Sequence, residues 1–406
     1  MGPITAVAWR LGVAAVVWLV VGAGQDRYGN RHNFSDLRIY HLAVRWWRDG
    51  RPLYDFSVPD PTQGSLGFTY PPFAALILRP LAGFAWPVPV QVAFGTVSVL
   101  AFAVSLWLLL LPVARHLGQP TWFVFLLAVP LASALEPIRE TFTFGQVNFV
   151  LVALVLVDLL ILGAVSSRWT GVGIGLAAAV KLTPGIFILY LLCTRRWRAA
   201  GVATATATAA TAAAWAVAPG DSWTYWTRTL VDGDGIGHPE YLFNQSLMGI
   251  VARASDPPQR VLWLLLVAAV VGFGMWRAAR AYTGGSELTG LTLAGLVGCL
   301  ASPVTWVHHI FWFIPAILLL VIAGTRPLRW PPLLGAAAIY CTVTFSVISF
   351  YAYDLHEPGG IAGAVLGNWD ALLMLVLLAA MPASLSREPV VMPSSAATGQ
   401  IPSTSS

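Results

Sequence analysis

The sequence predicts an all-α polytopic membrane protein, and three observations carry that prediction. Charged residues make up 10% of the 406 residues, against roughly a quarter in soluble globular chains. Hydrophobic residues reach 57% and mean hydropathy is +0.72, which leaves too little polar surface to cover a soluble fold of this size. The apolar residues also lie in long unbroken runs, unlike the alternating strands of a transmembrane β-barrel. Disorder, collagen and disulfide scaffolds fail on the same figures, since the three cysteines (Cys193, Cys299 and Cys341) all sit in apolar runs. The net charge of +5 does not point to nucleic acid, because the arginines are scattered between apolar blocks and form no single patch.

An apolar run of about 20 residues crosses a bilayer as a helix. Such runs lie at 5–22, 88–111, 121–136, 147–165, 199–218, 259–276, 286–302, 309–324, 331–351 and 368–383. The first has no convincing cleavage site and is read as a span, not as a signal peptide alone. Short basic loops carry Arg115; Arg168; Arg195, Arg196 and Arg198; Arg277 and Arg280; and Arg326 and Arg329. These are assigned to the cytoplasm, with both termini, because cytoplasmic loops hold the excess of Lys and Arg. The loops that hold most carboxylates (Asp26 to Asp60, Glu136 and Glu140, Asp221 to Glu240, Asp354 and Glu357) then face outward.

The loops at Arg168 and Arg195 both read as inside, although one helix between them would place them on opposite sides. In GLAAAVKLTPGIFILYLL, Pro184 disfavours helical backbone at Thr183. Two half-length helices meeting near Lys181–Pro184 reconcile the charges, and broken helices are tolerated where they line a cavity. The expected total is about twelve membrane segments. Residues 1–383 are read as one transmembrane domain, and the Ser-rich segment 384–406 as a disordered cytoplasmic tail.

The outer loop 23–87 is read as structured. Ser35 is expected to cap a helix that opens with Asp36. Along it Arg38, His41, Arg45 and Arg48 share one side and Leu37, Tyr40, Val44 and Trp47 another, a pattern suited to a membrane surface. YPPFAALILRPLAGF, residues 70–84, reads as a second short helix.

Of 23 Lys and Arg residues only Lys181 is lysine, and it falls inside an apolar segment. An ammonium at membrane depth is expensive and usually faces a cavity or an anion; the alternative is snorkelling to the interface. Its expected partner is a phosphate, which Lys meets as a point charge. Asp36, at the outer surface, is the leading candidate for a catalytic base, with helix-dipole complementarity as the plain alternative. Asp49, Asp55 and Asp60 lie in a turn-rich stretch where Asp is ordinary. Asp232 and Asp234 spell an Asp-x-Asp pair, but DGDGIG reads equally as a loop and no metal is expected. His308 and His309 close SPVTWVHH; adjacent helical residues diverge by about 100°, so one is expected to face a polar cavity and the other to pack or cap. Arg139, Glu140, Gln146, Asn148, Asn244 and Gln245 collect at outer helix ends with Tyr70 and several tryptophans, which suits a carbohydrate site. For each amide the alternative is helix capping.

SDLRIYHLA, PLYDF, GFTYPPFAAL, EPIRETFTFGQVN, GLAAAVKLTPGIF, FNQSLMG and SPVTWVHH, in that order, resemble glycosyltransferase family 87, membrane mannosyltransferases of the GT-C type. The resemblance runs to about residue 380. It implies a polyprenyl-phosphate mannose donor, no other cofactor, and a mannosylated glycolipid acceptor at the outer face of the plasma membrane. EPIRETFTFGQVN and KLTPGIFILYLLCTRRWRAA look most like the α-(1→2)-mannosyltransferases that branch lipomannan and lipoarabinomannan. Extension of phosphatidylinositol mannosides, or arabinofuranosyl transfer, is the alternative within this architecture. The family pattern implies that Asp36 is the base and that Lys181 and the His308–His309 pair belong to the donor phosphate site. A transporter or flippase would be expected to show inverted repeats and paired broken helices; the sequence has one broken pair and no internal repeat.

Overall fold

The computed structural model describes residues 2–28, 32–60, 64–230, 238–355 and 359–382. Asp232, Asp234, Glu357 and the tail 384–406 lie outside the described residues. The chain opens with α1 (Pro3–Tyr28) and α2 (Ser35–Arg48), then a two-stranded antiparallel ribbon, β1 (Ser57–Asp60) with β2 (Gly64–Gly67), and α3 (Pro72–Leu78). The bundle continues through α4 (Val88–Leu117), α5 (Thr121–Ala134), α6 (Glu136–Phe144), α7 (Asn148–Val157), α8 (Val172–Val180), α9 (Ile186–Cys193) and α10 (Trp197–Val217). It closes with α11 (Pro219–Thr224), α12 (Leu247–Ala254), α13 (Arg260–Thr283), α14 (Glu287–Ala301), α15 (Phe313–Thr325), α16 (Trp330–Thr344), α17 (Gly360–Leu366) and α18 (Trp369–Ala380).

Among the described residues four helices (α1, α4, α10 and α13) are long and apolar enough to cross a bilayer alone, and up to seven spans result if each of three bent pairs counts as one. Their surfaces explain the composition: Ile4, Trp9 and Leu19 on α1, and Val261, Leu264 and Leu265 on α13, are exposed, as side chains facing lipid must be. This is a helical multi-pass membrane protein.

The chain between Arg168 and Arg195 turns back on itself. Helix α8 stops at Lys181, which takes extended backbone (φ −148, ψ 131), and Thr183–Gly185 forms a tight turn before α9. Both outer ends of the pair return to one face, where Arg198 donates to the carbonyls of Ser166 and Ser167. The start of α8 is tied there by Asp158, whose carboxylate accepts the Gly171 and Ile174 amides. The same face holds the Arg196–Glu287 pair, the contact of Arg326 with the Leu117 carbonyl, and Arg277 on the carbonyls of Leu378 and Met381. It is the arginine face; Lys181 is carried toward the opposite one.

Helix α2 departs from expectation in two ways. Ser35 is its first helical residue and makes no cap; Phe34 precedes it with left-handed backbone (φ 56, ψ 39) and donates its amide to the Thr143 carbonyl. The apolar side of α2 also meets protein, not lipid. Leu37, Tyr40 and Val44 are buried, and α2 packs on α3, the turn that follows it, and α6. His41, placed by spacing with Arg38, Arg45 and Arg48, is buried while they are exposed, and its Nε2 lies 3.1 Å from the Phe84 carbonyl.

Candidate active site

A cavity of about 1000 Å³ opens at the end of the bundle opposite the arginine face. Its lining brings together His32, Asp36, Tyr70, Glu140, Gln146, Lys181, His308 and His309. These come from α2, the segment before α3, α6 and its exit, the α8–α9 break and the turn after α14, so the site exists only when five parts of the chain have packed.

Gly145 makes the first junction. It ends α6 with left-handed backbone (φ 74), and a Cβ there would lie 2.6 Å from Leu37 Cβ. Glycine therefore permits both the turn and the close approach of α2. The next residue, Gln146, donates from its side chain to Asp36 Oδ2. Its carbonyl oxygen accepts from Tyr70 Oη at 2.9 Å, and Tyr70 Oη lies 2.9 Å from Tyr40 Oη. That chain fixes which end of the amide faces the carboxylate. Burial pushes the Asp36 carboxyl up to about 6, with the Gln146 hydrogen bond and the charges of Lys181 and His32 pulling the other way. Asp36 is thus a carboxylate at neutral pH whose basicity exceeds that of an exposed Asp.

Lys181 is the second centre. Its Nζ donates to Asn148 Oδ1 at 3.2 Å, stands 2.8 Å from His309 Nε2 and lies 5.2 Å from the centre of the Tyr70 ring. His309 Nδ1 accepts the Trp306 amide at 3.3 Å. A neutral imidazole with an acceptor Nδ1 carries its proton on Nε2, so this N–H faces the lysine amine. With the lysine in its ammonium form, two proton-bearing nitrogens face each other, an arrangement that an anion relieves. His308 lines the same cavity, and its Nε2 is buried without a hydrogen-bond partner among the described residues. Burial holds both imidazoles well below their ordinary range, and the charge of Lys181 acts in the same direction.

The expectation that only one of the two histidines would face the cavity is corrected, since both line it. They sit on a short 3₁₀ turn, Val307–His309, not on the end of a regular helix, and their rings are perpendicular with centroids 4.6 Å apart. Asn148 acts from behind: Nδ2 donates to the His308 carbonyl at 2.9 Å, which Thr141 also binds at 3.0 Å. Glu140 lines the cavity, with Oε1 3.4 Å from His32 Nε2. His32, stacked on Phe144 at 3.7 Å, was missed in the sequence; its place four residues before Asp36 is the signal that was there to read.

Four candidates do not line this cavity: Asn148, which acts from behind it, and Asn244, Gln245 and Arg139. Asn244 and Gln245 are fully buried and spend every polar group on structure. Asn244 donates to the carbonyls of Pro239 and Pro303 and accepts the amides of Ser246 and Thr305. Gln245 donates to the carbonyls of Leu242 and Gly367 and accepts the Ala371 amide. Arg139 binds the carbonyls of Ala134 and Thr344. Asp49 pairs with neighbouring Arg48, and Asp55 is exposed; of the weaker acids only Asp60 lines the cavity.

The family model for glycosyltransferase family 87 matches residues 68–303. The chain is 35% identical over 369 residues to the polyprenol-phosphate-mannose-dependent alpha-(1-2)-phosphatidylinositol mannoside mannosyltransferase of Mycolicibacterium smegmatis, covering 83% of this chain and 81% of that protein. It is 34% identical to the protein of the same name from Mycobacterium tuberculosis, over 77% of each. A third relative, the polyprenol-phosphate-mannose-dependent alpha-(1-2)-phosphatidylinositol pentamannoside mannosyltransferase of Mycolicibacterium smegmatis, is 35% identical over 75% of this chain and 74% of its own. No solved structure matches.

Proposed function

This chain belongs to glycosyltransferase family 87, and from that premise we propose that it is an inverting α-(1→2)-mannosyltransferase. It takes mannose from polyprenyl phosphate and adds it to a mannosylated phosphatidylinositol glycolipid, up to the size of lipomannan and lipoarabinomannan, at the outer face of the plasma membrane. The names of the relatives support the donor, the linkage and the phosphatidylinositol mannoside class of acceptor. The arginine face supports the sidedness, because loops rich in Arg stay in the cytoplasm and the cavity opens at the other end. On that placement the chain has about twelve membrane segments, counting α8 and α9 as two that enter and return.

One observation carries the mechanism: a half-buried carboxylate of raised basicity beside a cluster of nitrogen groups in one cavity. Asp36 removes the proton of the acceptor hydroxyl as its oxygen attacks the anomeric carbon. The carbon–oxygen bond to the lipid phosphate breaks on the opposite side, which inverts the configuration. Lys181, with His309 and His308, receives the phosphate as negative charge gathers on its oxygens. Gln146 and the two tyrosines hold Asp36 in place, and Asn148 holds both Lys181 and the histidine turn.

The experiment is to supply the purified protein with polyprenyl-phosphate mannose or polyprenyl-phosphate arabinose and a phosphatidylinositol mannoside, and to identify the product linkage. An added α-(1→2)-mannose is the expected result. Transfer of arabinose alone would overturn the sugar assignment, and movement of lipid without transfer would favour a flippase.

A further inference from the structure

The cavity has lining residues that the transfer chemistry does not use. Arg260 and Trp263 line it from the first turn of α13, three residues apart and so on one side of the helix. Among the described lining residues, Lys181 and Arg260 are the only Lys or Arg side chains. Arg260 makes no hydrogen bond or ion pair with any described residue. Its neighbours differ: Arg253 is spent on the carbonyls of Tyr241 and Asn244 and on Asn368, and Arg277 on two backbone carbonyls. Trp263 Nε1 is buried without a hydrogen-bond partner among the described residues, whereas buried N–H groups nearly always have one. Val261, Leu262, Leu264 and Leu265, beside them on α13, are exposed. The pair therefore stands where the cavity wall meets the lipid-facing surface.

We infer that Arg260 and Trp263 hold the phosphodiester headgroup of the glycolipid acceptor, the guanidinium on the phosphate oxygens and the indole N–H on a hydroxyl of the attached polyol. This rests on reading the Asp36 end of the cavity as the transfer site. A guanidinium presents a planar fork that matches two phosphate oxygens, and a tryptophan with a free N–H suits a wet interface with one apolar side. Lys181 and Arg260 then divide the work: one phosphate belongs to the sugar donor and leaves, the other anchors the acceptor and stays.

The test uses the full chain in lipid nanodiscs and two soluble probes, dioctanoyl phosphatidylinositol and dioctanoyl phosphatidylglycerol. Arg260→Ala is expected to weaken phosphatidylinositol binding about tenfold, the loss of one charge-assisted contact, and Arg260→Lys to recover part of it. Trp263→Phe keeps the ring, removes the N–H and is expected to narrow the preference for inositol over glycerol. Unchanged binding in Arg260→Ala overturns the inference. Equal Arg260-dependent binding of both lipids also overturns it, because the arginine would then be meeting bulk lipid phosphate. If Arg260-dependent, inositol-selective binding holds while no mannose is transferred, the headgroup site stands and the transferase reading fails.

Discussion

Two polar networks, each at least half-buried, lie at opposite ends of this bundle, and they differ in whether their groups are satisfied. At the arginine face, Arg196 forks onto Glu287 at 3.0 and 3.1 Å, Tyr190 donates to the same carboxylate, and the guanidinium lies over the Tyr190 and Tyr282 rings. Every strong donor and acceptor there has its counterpart. At the cavity, the ammonium form of Lys181 faces the His309 Nε2–H at 2.8 Å, and His308 Nε2 has no hydrogen-bond partner among the described residues. Desolvating charge costs several kcal/mol per ion, so a satisfied network can be explained by folding alone. An unsatisfied one implies a ligand that completes it.

The contrast makes its largest prediction at Asp36. Asp36→Asn is expected to lower transfer at least about a hundredfold, the scale of losing a general base. The variant should fold, and be at least as stable at neutral pH. A carboxyl whose pKa folding raises from 3.8 to about 6 weakens the folded state as pH rises through that window, and the loss is complete above it. Turnover of the purified variant near the wild-type rate would remove Asp36 from its role and leave Asp60, which also lines the cavity, as the acid to test.

Next in size is a paired experiment on the two networks. Lys181→Ala should raise the donor KM and lower kcat by about tenfold or more, since it removes a cation facing the leaving phosphate, with little change in thermal stability. Lys181→Arg should restore only part, because the planar fork is larger than the ammonium it replaces. Arg196→Ala should do the reverse: about 3 kcal/mol of stability lost from a broken buried pair, with the donor KM of the folded fraction unchanged. If both variants moved the same quantity, the distinction between satisfied and unsatisfied networks would collapse.

The pH profile is a gentler probe. Asp36 must be ionised to take a proton, and its carboxyl titrates at about 6. The rate should therefore be flat near neutrality and fall about tenfold per unit at more acid pH. His308 and His309, held neutral by burial, should add no second inflection there. A profile flat down to pH 4.5 would mean that the base is an acid of ordinary pKa.

How much of this was legible in the sequence depends on the distance over which each contact acts. Lys181 could be singled out because it is alone of its type, and the break beside it because Pro184 acts locally on Thr183. Asp36 stood out by its place at the start of an amphipathic run. Its pairing with Gln146 spans 110 residues and that of Lys181 with His309 spans 128; no local pattern contains either. Asn244, Gln245 and Arg139 show the converse error. Their residue types suit a sugar site, but whether an amide is free or spent on backbone depends on partners brought in by the tertiary fold, such as Gly367 and Pro303. The apolar stripe of α2 was legible too, but amphipathic spacing does not say whether lipid or protein covers it.

The smallest effect expected is none, and it concerns metal. A divalent cation can neutralise the leaving group when sugars move from phosphate donors; on the proposed mechanism Lys181 and the histidines take that position. The two histidines cannot share an ion well, with perpendicular rings 4.6 Å between centroids, and Lys181 at 2.8 Å from His309 Nε2 would repel a cation from that nitrogen. Among the described residues no three His, Cys, Asp or Glu side chains gather into a metal site. Asp232 and Asp234 lie outside the described residues, so the measurement has a real alternative to exclude. Turnover of lipid-linked mannose should be unchanged after chelation, and unchanged again in the double variant Asp232→Ala/Asp234→Ala. Loss of activity on chelation, restored by magnesium or manganese, would mean that the charge on the leaving phosphate is carried by an ion. The unsatisfied donors at Lys181 and the histidines would then need a different explanation.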